Sequence, residues 1–110
     1  MINFVGLNFI KIDKPRLRKL IGKISSVEGY RIERMLYNFV AEAKMTQLNK
    51  VFLDHDTNTD IITFDYTKNK IISAEVFISK KMLSENALKN EQTLENEVVR
   101  LISHAVLHCV

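Results

Sequence analysis

The chain has 110 residues, 46% of them hydrophobic, which is enough for one globular domain with a real core and excludes a disordered or low-complexity polypeptide. A formal charge of +3 is mildly basic, compatible with a polyanionic partner without requiring one. Cys109 is the only cysteine, so no intrachain disulfide can form, and the apolar runs are too short and too interrupted by charge to cross a bilayer.

The elements follow in chain order. Ile2 to Ile12 is rich in β-branched and aromatic residues and is expected to open the fold as a strand. Asp13 is placed to cap a helix, Pro15 sits in its first turn, and Leu17, Leu20, Ile21 and Ile24 form its apolar stripe before Gly29 closes it. Tyr30 to Val40 is expected as a second strand, with Arg34 breaking its alternation. Lys44 to Leu53 places Met45, Leu48, Val51 and Phe52 at helical spacing and ends in the polar segment Asp54 to Asn58. Asp60 to Tyr66 and Ile71 to Ser79 are the clearest strands, and Thr67 to Lys70 is short and polar enough to join them as an antiparallel hairpin. Lys80 to Asn90 has mixed helical character. Leu94, Val98, Leu101, Ile102 and Ala105 mark a last helix. The order β-α-β-α-β-β-α-α combines a crossover with a hairpin, so the expected fold is α+β, a mixed four-stranded sheet with helices packed against it.

That last helix carries His104 and His108. Residues at i and i+4 stack on one helical face, so both imidazoles can reach one divalent metal, as the histidines of H-E-x-x-H zinc helices do. Ala105 stands where that motif has its glutamate, which argues against a metalloprotease. The bland alternative is two helix residues that happen to stack, one at the core edge and one solvated.

Several stretches, taken together, resemble the YbeY family of bacterial metal-dependent endoribonucleases that act in ribosomal RNA maturation. These are Leu48-Asn49, Asp56-x-x-Thr59-Asp60-Ile61-Ile62-Thr63-Phe64, Phe77-Ile78-Ser79, Glu85-Asn86-Ala87 and His104-x-x-Leu107-His108. The resemblance implies one domain over residues 1–110, zinc held by His104 and His108, and hydrolysis of an RNA phosphodiester by metal-activated water. It further implies an rRNA or ribosomal-subunit partner, cytoplasmic location, and no membrane or DNA partner. Because the family motif continues to a third metal-binding histidine, the chain is expected to be cut short before the end of that motif, with the third ligand beyond Val110. Two departures stand out. The arginine that many members carry ahead of their Thr-Asp pair is missing from Leu53 to Asn58, and Ala74-Glu75 replaces a family Gly-Asp.

His55, between Asp54 and Asp56, is the candidate catalytic residue outside the pair, for phosphate contact or proton transfer. Its plain alternative is a loop histidine whose charged form the two aspartates stabilise. Asp56, Thr59 and Asp60 are expected to bond to local backbone and cap the turn before the third strand. Arg16, Lys19 and Lys23, with Lys14, Arg18, Arg31 and Arg34 nearby, are either a phosphate-tracking surface or the solvated side of an amphipathic helix, the second being the commoner case. Cys109 is read as buried packing and not as a metal ligand. The rival to the nuclease is a non-catalytic RNA- or ribosome-binding protein on the same scaffold.

Overall fold

Strand β1 (Ile2–Val5) stops well short of the apolar run that suggested it, and Gly6 is the reason. Gly6 adopts φ +80°, and a Cβ there would lie 2.4 Å from the carbonyl oxygen of Phe39 on the neighbouring strand. The chain therefore leaves the sheet at Gly6, and Leu7, Ile10 and Ile12 pack into the core from a connecting segment. Gly6→Ala combines left-handed backbone strain with a backbone clash and is expected to lower stability by about 2 kcal/mol, measurable by urea denaturation. A computed structural model describes residues 1–53 and 59–110.

Helix α1 (Lys14–Val27) begins as its residues dictate, with the Asp13 carboxylate accepting from the Arg16 N–H and Pro15 in the first turn. Leu17 and Ile21 are buried, and Gly29 at φ +78° turns the chain into β2 (Arg31–Val40). In β2 the pairing register shifts between Ile32 and Arg34, which leaves Glu33 as the extra residue of a β-bulge. This accounts for the broken alternation at Arg34: beyond the bulge the phase is restored, and Met35, Tyr37 and Phe39 all face the core.

Helix α2 (Glu42–Leu48) runs directly into a π-helical turn, Asn49–Leu53. The wider turn rotates the later apolar residues off the packed face, so Met45 and Leu48 are buried while Val51 and Phe52 are exposed. Strands β3 (Ile61–Asp65) and β4 (Ile71–Ser79) form the anticipated antiparallel hairpin. Asn69 and Lys70 both have positive φ, and Lys68 and Ile71 exchange two backbone hydrogen bonds, the signature of a two-residue turn matched to strand twist. Ser79 caps α3 (Lys80–Lys89) by accepting from the Met82 N–H, and Thr93 caps α4 (Leu94–Cys109) by accepting from that of Asn96.

The sheet order is β1-β2-β4-β3, parallel between β1 and β2 and between β2 and β4, with β3 antiparallel at one edge. On β4, Ile72, Ala74, Val76 and Ile78 are fully buried against the cluster formed with α1, α3 and α4. The buried Tyr37 hydroxyl donates to the Ile102 carbonyl at 2.9 Å, which ties the sheet centre to α4, and burial pushes that phenol well above its ordinary pKa. On the opposite sheet face, among the described residues, Met45 and Leu48 of α2 pack on Ile62, with Phe64 and Phe77 beside them. The architecture is thus α+β, with the mixed four-stranded sheet the patterning anticipated.

Candidate metal centre

Helix α4 buries Val98, Leu101, Ile102, Ala105, Val106 and Cys109, and this stripe sets where everything else on the helix points. Arg100, His104 and His108, spaced by four, share one exposed flank. On the other flank, Val99 and Leu107 line grooves shared with Leu20 and Ile24 of α1.

The exposed flank runs beside β3. At its beginning Arg100 Nη2 lies 3.6 Å from Asp60, the residue that precedes β3. At its end the charge of His108 is felt by Asp65, the last residue of the strand. Burial alone would raise the Asp65 carboxyl, but the Thr67 hydroxyl and N–H, the Cys109 thiol and His108 together hold it below its ordinary value. Asp65 therefore presents an ionised carboxylate beside the second histidine. Neither imidazole has a hydrogen-bond partner among the described residues, so their nitrogens are available to a ligand.

A polar network anchors the start of this flank. Glu97 is 1% exposed, and its two carboxylate oxygens accept from Arg100 Nε at 2.9 Å and Nη2 at 2.6 Å. Asp60 also accepts from Asn86 Nδ2 at 3.2 Å, joining α3 to the same network. Thr59 donates to Asn49 Oδ1 at 3.2 Å, while the Nδ2 of this fully buried asparagine has no partner among the described residues. Among the described residues, the side chains of Thr59 and Asp60 bond beyond the local turn expected from sequence. They reach other elements, because short polar groups at the entry to a buried strand find donors and acceptors there that desolvation makes worth pairing.

The remaining candidates divide. His55 and Asp56 lie outside the described residues. Cys109 is buried in the core, and burial pushes its thiol up to about 11, as suits a packing residue. Arg18 donates from Nε to the Ile2 carbonyl at 2.9 Å and covers the Phe4 ring, so it braces α1 against β1. Arg16, Lys19 and Lys23 are exposed on α1, across α4 from the histidines. Among the described residues, no group of three or more His, Cys, Asp or Glu side chains converges on one metal position. What sequence reasoning missed is Arg100, Glu97 and Asp65. The run Glu97-x-x-Arg100-x-x-x-His104-x-x-x-His108 held a signal for the first two, an ion pair at i, i+3 continuing into the histidine row.

The fold and the paired imidazoles define an α+β domain with a two-histidine candidate metal helix laid along an edge strand. The family model for Endoribonuclease YbeY matches residues 7–110, and the chain belongs to that family. It is 35% identical over 103 residues to Endoribonuclease YbeY of Phocaeicola vulgatus, covering 94% of this chain and 75% of the relative. It is 32% identical to that of Bacteroides thetaiotaomicron over the same shares, and 35% identical to that of Cytophaga hutchinsonii over 86% of this chain and 67% of the relative. The solution structure of the Thermotoga maritima protein TM1509 shares the fold, with a TM-score of 0.64 at 24% identity, covering 99% of this chain and 71% of that one.

Proposed function

We propose that this protein is a zinc-dependent endoribonuclease that cleaves single-stranded RNA in rRNA processing and ribosome maturation, in the cytoplasm. The observation that carries the reading is the row of His104 and His108, exposed beside the edge strand of a chain in the Endoribonuclease YbeY family. Two solvent-facing imidazoles with no hydrogen-bond partner among the described residues suit zinc as part of its donor set, which at catalytic sites takes three protein ligands. When bound, zinc supplies a Lewis acid for the phosphoryl group and lowers the pKa of the attacking water.

The chain's own groups divide the remaining work. His104 and His108 would hold the metal through their ring nitrogens. The Asp65 carboxylate adds negative charge near the His108 end of the row, which favours a cation there. Arg100, engaged by Glu97 and Asp60, holds the helix against the strand and leaves little uncompensated charge for a phosphate. His55 is the candidate for proton transfer or phosphate contact, on its sequence position alone.

Elemental analysis after exhaustive dialysis, run beside cleavage of a labelled single-stranded RNA, tests the reading. The expected result is one zinc per chain, with cleavage lost on chelation and restored by zinc. RNA binding without zinc and without cleavage would instead support the non-catalytic binding protein, which the missing family arginine favours.

A further inference from the structure

Because β3 lies at the sheet edge, its alternating side chains serve two different surfaces. Ile61, Thr63 and Asp65 share the α4 face, whereas Ile62 and Phe64 look to the opposite one, opposite Phe77 and Glu75 of β4. Tyr66 continues the second set. On that side Phe52 meets Phe64 edge-on at 5.4 Å and Phe64 meets Phe77 at 5.9 Å. Together with Leu48, Tyr66 and Glu75 these rings line an open cleft of about 390 Å³. Phe52 is 61% and Tyr66 64% exposed, which is unusual for neighbouring aromatic side chains in a folded domain. The π-helical turn is what carries Phe52 there, away from the packed row of α2.

We propose that this aromatic cleft is a stacking platform for unpaired RNA bases flanking the cleaved bond. The inference rests on the RNA-cleaving reading above, and three observations favour RNA as the occupant. First, the exposed groups are rings, whose faces suit flat bases of any sequence. Second, cations flank the rings. Lys68 and Lys70 stand exposed on the turn just after Tyr66, where they can meet phosphates, and Arg34 lies 3.5 Å from Glu75, the one charged residue lining the cleft. Third, the platform borders the strand along which the candidate metal helix packs. Asp65 faces α4 and Tyr66, the next residue, lines the cleft on the opposite face, so RNA passing round the end of this edge strand meets both sides. Since a base must be unpaired to lie on a ring, the platform selects single-stranded over duplex RNA.

The test measures binding of the full chain to a fluorescent 2′-O-methyl RNA, single-stranded or in a duplex, by anisotropy, with the RNA verified intact on a gel after each titration. Tyr66→Ala and Phe52→Ala are each expected to weaken single-strand binding roughly tenfold. Tyr66→Phe should keep wild-type affinity, and duplex binding should change little in any variant. An unchanged melting temperature for Tyr66→Ala verifies that the loss is not unfolding. Wild-type affinity in both alanine variants would overturn the platform while leaving the RNA reading intact. No single-strand binding by the wild type would overturn the RNA reading itself. Unchanged RNA affinity alongside loss of self-association in light scattering would make the cleft a protein interface, and the proposal would fail.

Discussion

Replacing His104 and His108 together by alanine is expected to remove bound zinc and to slow RNA cleavage by about 1000-fold, some 4 kcal/mol of transition-state stabilisation. The fold should survive. Both side chains are exposed, neither holds a hydrogen bond among the described residues, and alanine is a better helix former than histidine. Melting temperature is therefore expected to stay within a few degrees of wild type, roughly the effect of a surface substitution. Single-turnover cleavage, elemental analysis and calorimetry on the same preparation separate these outcomes. Full zinc retention by the double variant would remove the pair from the metal site. Each single variant should lose most of the zinc, because one imidazole on a solvent-facing helix offers no chelate.

Arg100→Leu should have the largest effect on stability. Glu97 is 1% exposed and relies on Arg100 for both carboxylate oxygens, so the substitution strands a buried anion. Breaking such a pair from one side costs about 3 kcal/mol, which for a domain of this size lowers the melting temperature by about 15 °C. The position of Glu97 in the first turns of α4 moderates the cost, since the helix N-terminus favours negative charge, and water reaches the guanidinium more readily than the carboxylate. Removing both charges in Glu97→Leu with Arg100→Leu should recover most of the loss, as apolar packing replaces a desolvated pair. A loss below about 1 kcal/mol for Arg100→Leu alone would mean that the pair behaves as an ordinary surface bridge. Because Arg100 also meets Asp60, the variant should loosen the start of β3 and raise hydrogen exchange there.

The two experiments probe one flank of α4, whose ends were unequally visible in sequence. His104 and His108 were legible because their spacing maps directly onto a helical face and because the buried stripe around them leaves that face exposed. Arg100 was legible only in its i, i+3 pairing with Glu97, because its other tie, to Asp60, lies forty residues away in the chain. Asp65 gave no signal either, since its closeness to His108 arises only when α4 packs along the edge strand.

The same division runs through the fold. Strand β4, the cap of α1 and the bounds of the hairpin turn were set by the sequence alone, because alternation, an N-capping carboxylate and a short polar turn act within a few residues. Gly6, the bulge at Glu33 and the π-helical turn at Asn49–Leu53 were decided by tertiary structure. Each concerns where one element must yield to another: β1 to the Phe39 carbonyl, β2 to the register of β4, and α2 to the entry of β3. Patterning reports which residues want burial, but the sheet's packing chose which of them were left in solvent, Phe52 and Tyr66 among them.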